Sequence, residues 1–538
     1  MGTKNFSNAN DLITFSRSSA GTALRKIAYG SELVTNGDFS TDSDWTKGSG
    51  WSISGGVAVS NNASGFTDIK QSVDVTPNKI YRLDFSVASY TSGAVVPYLG
   101  NNGSADATPY DQGNLTNSFR ATSAGEFYAF FVFDASQPGQ IVLRANSGFI
   151  GTIDNISVKE VLFDQGDLTL FNHPADIPRI EYDADGNVLG LLVEESRTNL
   201  VTYSEDFTDA SWTKTNTATL AVDAVGPDGQ TSAVTLVDSG ATGTDAVFVR
   251  LNKVITSSTN YTLSVFAKAD GESYLGLGES GYDNGLATSF FDLSSGEVSV
   301  EDAAHTATIQ NAGNGWYRCS ITTSSVTDLD GNFRVYVSNE GILVDLDGTS
   351  SILIYGAQLE VGAFPTSYIP TNGATATRSA DVASIPVADF GYNQSEGSVV
   401  VEYSSVASLN ENYDFFIFNT NSSFDPESWG AYGRADSVNN VNGYRRSSSA
   451  YDSIDAVTSF DGNSGGKIAL SQSKSNTSLS STGLLDSTAF SSSNLSEITE
   501  LDFANGAGVV GGKHSGHIKS IKYYPRRLTN AQLQELTT

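Results

Sequence analysis

The sequence predicts an all-β protein of tandem antiparallel β-sandwiches ending in a short C-terminal helix, and three observations lead there. Only 17% of the 538 residues are charged, and Gly (52), Ser, Thr, Asn, Val and aromatics dominate, which is the composition of short strands joined by polar turns. Apolar residues alternate with period two, as where Tyr81, Leu83, Phe85 and Val87 face one way and Arg82, Asp84 and Ser86 the other. The chain also repeats itself.

The repeat sets the first two modules. Leu33-Val34-Thr35, Phe39 and Trp45 are echoed by Leu200-Val201-Thr202, Phe207 and Trp212 at offsets of 167 or 168 residues. The alternating run from Tyr81 to Val87 matches Tyr261 to Ala267, and each copy closes on a strand with a Glu-Val pair, at 153–161 and 352–361. Related β-modules therefore occupy about 31–162 and 199–365, the second with longer loops. Phe127 to Phe133 is apolar on both faces, as in a strand inside a sandwich. Asp185-Gly186, Asp330-Gly331 and Asp347-Gly348 are turn signals. Trp45, Trp212 and Trp316, beside apolar strands, belong to cores.

A third region, 395–538, has strands at Val399 to Tyr403, Phe415 to Phe418 and Gly516 to Tyr524, with a Ser- and Asn-rich stretch at about 447–496 between them. Thr529 and Gln532 form a capping-box pattern, and Leu533 and Leu536 give the following turns an apolar face, so a terminal helix folds back on the sandwich. The connectors at 1–30, 163–198 and 366–394 have the strand-and-turn texture of docking arms rather than of flexible linkers.

Acidic residues outnumber basic ones 60 to 30, a net charge of −30 that repels nucleic acid. One cysteine, Cys319, cannot form an intrachain disulfide, and four histidines exclude zinc-finger frameworks. The first residues lack an apolar signal core, and the apolar runs are far shorter than the roughly 20 residues of a membrane helix. No membrane insertion is expected, and release by lysis fits a chain without an export signal.

The catalytic patterns do not carry chemistry. Gly462-Asn463-Ser464-Gly465-Gly466 fits G-x-S-x-G but sits in a Ser/Gly-rich loop without the strand-to-helix elbow a nucleophile needs. Gly276 to Gly281 and Gly506 to Gly511 fit G-x-G-x-x-G, yet neither opens a helix, and both are read as turns. His514 and His517 are read as loop residues at a sandwich edge. Asp183-x-Asp185-Gly186-Asn187 imitates an EF-hand opening, but a β-turn accounts for it better. A glycosidase needs two carboxylates at a set separation, and sixty acidic residues nominate none. The chain is read as non-enzymatic.

Two blocks carry a resemblance. The first runs from Pro178-Arg179-Ile180-Glu181-Tyr182-Asp183 to Gly190-Leu191-Leu192-Val193-Glu194-Glu195-Ser196-Arg197-Thr198-Asn199-Leu200. The second runs from Gly356-Ala357-Gln358-Leu359-Glu360-Val361-Gly362 through Thr366-Ser367-Tyr368-Ile369-Pro370-Thr371 to Thr377-Arg378-Ser379-Ala380. Both resemble a recurrent block of tailed-bacteriophage virion proteins. Phe15-Ser16-Arg17-Ser18-Ser19 is similar to its start, with the first module inserted between its halves. The two modules resemble jelly-roll carbohydrate-binding modules, and the region ending at Leu528 resembles a concanavalin/laminin-G-like domain.

The resemblance implies a structural protein of the virion, at the tail or capsid surface and made in the host cytoplasm. Its partners would be other virion proteins and host-surface glycans, in a homo-oligomer, the trimer being usual for a fibre. A tail fibre or tail-tip adhesin is favoured over a capsid decoration or head fibre, and both over a polysaccharide depolymerase. Jelly-roll modules commonly hold a structural calcium ion near the first and last strands. The matching positions are Asn36, Asp38 and Asp154, with Glu205 and Asp206 in the second module. Sugars stack on aromatic platforms, and the loop-like candidates are Tyr90, Tyr98, Tyr110, Tyr274, Tyr282, Trp429, Tyr432 and Tyr444. The connecting arms, with Arg17, Arg179, Arg197 and Arg378, are expected to lock the modules to one another, the arginines pairing with the acidic surfaces around them.

Overall fold

The computed structural model describes residues 13–538 except 62–64, 102, 112, 116–118, 326, 406–412, 420–427, 435–439, 448–449, 457–464, 474–475, 482–483, 490–497 and 505–514. It is all-β with a short C-terminal helix, as the composition and alternation predict. The chain forms two compact units, Lys26–Asp167 and the combination of Met1–Arg25 with Leu168–Thr538.

In the unit Lys26–Asp167 the strands Ile80–Leu99 and Gln140–Phe163 pair antiparallel from Tyr81↔Glu160 to Leu99↔Ile141. Strand Gly125–Val132 lies on the same strand's first half. The expected alternation holds: Tyr81, Leu83, Phe85 and Val87 are buried in one core with Trp45, Phe131 and Phe149. Register shifts from Asp84 to Ala94 mark bulges, which bend a strand too long to stay flat.

The larger unit holds two sandwiches. In the first, one sheet runs Trp212–Thr215, Val247–Val254, Asp330–Ser338, Tyr274–Tyr282, Gly285–Asp292, Glu297–Val300. Its partner runs Val222–Val225, Thr231–Val237, Ser351–Val361, Tyr261–Ala269, Trp316–Thr323, Thr306–Gly313. Their inner faces share one core, including Trp212, Val265, Leu277, Cys319, Val335 and Leu359.

The other sandwich has two seven-stranded sheets around Phe416, Phe418 and Trp429, the last two rings stacked 4.2 Å apart. It takes in more chain than the region after Ser395. Thr14–Ser16 pairs with Val382–Pro386, and the hairpin Arg179–Tyr182/Val188–Val193 extends the second sheet through Leu191↔Ile518. The arms are thus strands of the sandwich. The Ser-rich stretch is also not a spacer: it supplies Ala450–Ala456, Gly466–Ser473, Asn476–Ser481 and Leu484–Ala489. Small hydroxyl side chains tolerate burial when they bond one another, as Ser398 and Ser471 do at 2.7 Å. The capping box of the helix Asn530–Thr537 is present, and Leu533 is buried with Val400, Ala469 and Leu528.

The internal repeat is a structural one. The Phe39–Trp45 rings lie 5.2 Å apart and the Phe207–Trp212 rings 4.9 Å apart. Each indole N–H donates to the carbonyl nine residues earlier, Trp45 to Asn36 and Trp212 to Tyr203, both at 2.9 Å. Tyr81 and Tyr261 each accept a hydrogen bond from the backbone N–H five residues earlier, of Thr76 and Thr256.

Candidate functional site

The site grows from the outer face of one sheet. In strand Tyr261–Ala269, Leu263, Val265 and Ala267 point into the sandwich core, which leaves Thr262, Ser264 and Phe266 on the other face. Trp316–Thr323 likewise turns Cys319 and Ile321 inward and Arg318, Ser320 and Thr322 outward. Register sets Gln310, Arg318, Phe266 and Tyr355 side by side across four strands. A glycine bulge at Gly356 (φ +60°) then returns Gln358 and Glu360 to this outer face.

A strap, residues 366–371, within the second of those sequence blocks, lies over that face. Gln358 accepts the Ile369 N–H at 2.7 Å and donates to the carbonyls of Thr366 and Ser367. Glu360 accepts the Thr366 N–H and hydroxyl at 2.6 and 2.7 Å. Asn199 donates to Ala357 O and Ile369 O. The hydroxyls of Tyr355 and Tyr368 both reach Glu205 Oε1 at 2.9 Å.

Beneath the strap lies a buried charge cluster built by the connectors. Arg17 meets Asp381 at 3.0 Å, and Arg179 meets both Asp381 (2.5 Å) and Glu194 (2.8 Å). Arg378 stands 3.5 Å from Glu194 and 3.8 Å from Asp381. All five side chains are enclosed. Ser367 ties strap to cluster: it takes an Arg179 hydrogen bond at 2.6 Å and donates its N–H and hydroxyl to Glu194. The arginines thus pair with interior carboxylates, not with the acidic surfaces expected, because each approaches from a connector that is itself packed inside. Arg197 differs, with a partly exposed pair to Glu195 and its guanidinium 4.8 Å from the Phe364 ring centre. His173, close to Arg25, Arg17 and Arg179, is held well below its ordinary pKa, first by burial and then by those cations.

Beside the strap opens a cleft of about 390 Å³. Phe266, Tyr182 and Tyr368 give it aromatic walls, and Arg318, Gln310, Asn311, Glu181 and Ser367 give it polar ones. Glu181 is held by His517 Nε2 at 2.6 Å and by the Leu24 N–H. The three aromatic walls are themselves buried and shape the cleft, while the exposed amides of Gln310 and Asn311 and the Arg318 guanidinium can read the hydroxyls of a sugar.

The sequence-predicted aromatic platforms lie elsewhere. Tyr98, Tyr282, Trp429 and Tyr444 are buried, a correction to their reading as loop residues: all four sit in strands, Tyr282 and Trp429 facing the sandwich cores and Tyr98 covered on the other face beside Val96, Ala107 and Val142. Tyr282 donates to Lys253 O and Trp429 to Tyr392. Tyr90 packs against the first core and bonds Gly93 O; Tyr110 and Tyr274 are partly buried. The side chain of Tyr432 lies outside the described residues.

Of the calcium candidates, Glu205 is held by Tyr355 and Tyr368, and the others are engaged locally. Asn36 bonds Ser40, Thr41 and Ser43; Asp38 accepts Ser40 N, Asp154 accepts Asn155 N, and Asp206 accepts Thr208. Among the described residues no group of three or more His, Cys, Asp and Glu side chains is placed to hold a metal ion. Asp183 to Asn187 is a turn, with Asp183 accepting the Asp185 and Asn187 N–H groups. Gly276 to Gly281 lies in a strand rather than a turn, its glycines giving room to Tyr336 and Thr288. Asn463, Ser464, His514 and Gly506 to Gly511 lie outside the described residues. Arg318, Gln310, Asn311 and Phe266 were not singled out from sequence; their one signal is a cation between Tyr317 and Cys319 in an otherwise uncharged strand.

No protein-family model and no curated protein matches the chain. Among solved structures, the CBM40 of the Ruminococcus gnavus IT-sialidase, bound to α2,3-sialyllactose, is 15% identical and aligns with 27% of this chain and 84% of its own, at a TM-score of 0.24. The CBM22-1–CBM22-2 tandem of Paenibacillus barcinonensis Xyn10C is 8% identical over 64% of this chain and all of its own, at a TM-score of 0.21. Scores this low leave the ligand to be argued from the cleft itself.

Proposed function

We propose that this chain is a non-enzymatic virion protein that binds host-surface glycans in the cleft beside the strap, as a tail fibre or tail-tip adhesin. The observation that carries the reading is the cleft: aromatic walls from Phe266, Tyr182 and Tyr368, with Gln310, Asn311 and Arg318 beside them, in a volume near the lower end of ligand pockets, about 300–1,000 Å³. The virion assignment is supported by the resemblance of the connector blocks, whose motif residues here form the strap and the charge cluster. That joint closes the fold across three distant stretches of chain, a rigidity suited to an exposed particle component.

The test is a glycan array probed with the full chain. Binding to a defined set of glycans, reduced at least tenfold by Gln310→Ala with Asn311→Ala, supports the reading. Absence of binding to any glycan overturns it, as does release of reducing ends from a bound polysaccharide. Labelled antibody on particle heads rather than tails would replace the adhesin by a capsid decoration.

A further inference from the structure

Arg318 is placed unlike the arginines of the charge cluster. Its Nη2 donates to Ser264 Oγ at 3.0 Å, and its guanidinium lies 5.4 Å from the centre of the Phe266 ring. Its Nε is buried without a hydrogen-bond partner, as are those of Arg179 and Arg378, but unlike theirs its guanidinium has, among the described residues, no carboxylate within ion-pair distance. A guanidinium offers five N–H donors in a fork that fits a carboxylate, so one that lines a cleft with donors unfilled is a receptor without its anion.

The surrounding acids do not take that role. Glu360, Glu194 and Glu181 attract Arg318 through space, but each is engaged elsewhere: Glu360 by Thr366, Glu194 by Arg179, Arg378 and Ser367, Glu181 by His517 and Leu24. Burial also raises the Glu360 carboxyl above its ordinary pKa, with Arg318 and the Thr366 donors opposing the rise. The charge cluster behind Ser367 sets three guanidiniums, of Arg17, Arg179 and Arg378, against two carboxylates, of Asp381 and Glu194. The cluster's excess positive charge thus lies behind Ser367, while the cleft lining itself carries Glu181, Asp183 and Asp185 on one side and Arg318 as its cation, in a chain whose net charge is −30. A polyanion would meet that outer field, whereas one carboxylate on a small saccharide can enter.

We propose that the cleft selects saccharides bearing a carboxylate, with Arg318 receiving the carboxylate and Gln310 and Asn311 reading neighbouring hydroxyls. This rests on the glycan-binding reading above and names its ligand class. A bidentate Arg–carboxylate contact fixes the sugar's orientation as well as its charge.

The experiment titrates the full chain with N-acetylneuraminate- and glucuronate-terminated oligosaccharides, and with the same oligosaccharides after reduction of the carboxyl to an alcohol. At least one acidic form should bind tenfold or more tightly than its reduced counterpart, with affinity falling as salt is raised. Arg318→Gln should bring the two forms to equal affinity, and Arg318→Lys should keep only part of the difference. Equal binding of acidic and reduced forms by the unaltered chain, both lost in the Gln310→Ala, Asn311→Ala variant, overturns the carboxylate but leaves glycan binding in place. Binding of neither form overturns both. The wild-type comparison decides the matter even where an Arg318 variant does not fold.

Discussion

Arg17 and Asp381 stand 364 residues apart in sequence and 3.0 Å apart in the fold, with neither side chain exposed. Asp381 also holds Arg179 and accepts the Glu194 N–H at 2.8 Å, so one carboxylate in the third connector joins it to the first and the second. Removing one partner of a buried ion pair leaves the other charge uncompensated, at a cost of about 3–5 kcal/mol. Asp381→Asn should lower stability by that order, read from urea unfolding. Arg197→Ala removes a partly exposed pair and should cost about 1 kcal/mol or less. Equal effects of the two would show that the buried cluster has no special weight.

Glu194 sets the acid limit. Burial would push its carboxyl up, but Arg378, Arg179 and the two Ser367 donors override burial and hold it far below its ordinary 4.5. A depressed carboxyl contributes stability that is fully present above the unfolded-state pKa and is lost as pH falls below it. Unfolding should therefore steepen below about pH 4.5. Glu194→Gln should be less stable at pH 7, on the order of 3 kcal/mol, yet show a flatter profile between pH 5 and 2. A variant that parallels the wild type throughout that range would separate acid unfolding from this residue.

Some of this architecture is legible in the sequence and some is not, for reasons that follow from the residues. Phe39 with Trp45 and Phe207 with Trp212 announce the repeat because both pairs close the same turn and need the same spacing. Thr529 and Gln532 announce the helix because a cap is a local interaction. The strands from Ala450 to Ala489 are hidden because their buried positions are often serines, whose burial depends on hydroxyl partners that only the fold supplies. Tyr98, Tyr282, Trp429 and Tyr444 mislead because an aromatic beside glycines and polar residues looks like a loop residue until strand pairing shows its face. Arg318 is invisible as a site because its neighbours Gln310 and Phe266 come from other strands, and the strap that walls the cleft from a fourth segment.

Asp502 should respond to pH in the opposite sense to Glu194. Burial raises its carboxyl from 3.8 to about 6, with Glu500 adding to the rise and the Asn419 hydrogen bond opposing it. A raised carboxyl binds its proton more tightly in the fold, so native stability falls as pH climbs from about 4 to 6 and stays lower above. Asp502→Asn keeps a group for Asn419 to bond and removes the buried charge. It should gain on the order of 2 kcal/mol at pH 7 and nothing at pH 3.5. Chemical unfolding at both pH values checks this, and a gain of equal size at pH 3.5 would rule out the charge as its cause.

Gly356 links the fold to the cleft. Its φ of +60° lies in the left-handed region, and a Cβ there would come within 3.0 Å of the Tyr368 ring and 3.3 Å of Phe266. An alanine must therefore strain the backbone, at about 1 kcal/mol or more, and push the strap away from the sheet. Tyr368 would then lose its place between Ser204 and Glu205, and the aromatic wall of the cleft would shift with it. Gly356→Ala should show two effects together: a modest fall in unfolding midpoint and a loss of saccharide affinity out of proportion to it. Gly229→Ala is the control, since Gly229 also has positive φ (+73°) but meets nothing within 4 Å and lines no part of the cleft. It should share the stability cost and bind normally. If both variants keep full affinity, the position of Tyr368 does not matter to the ligand and the cleft's boundary must be drawn without the strap.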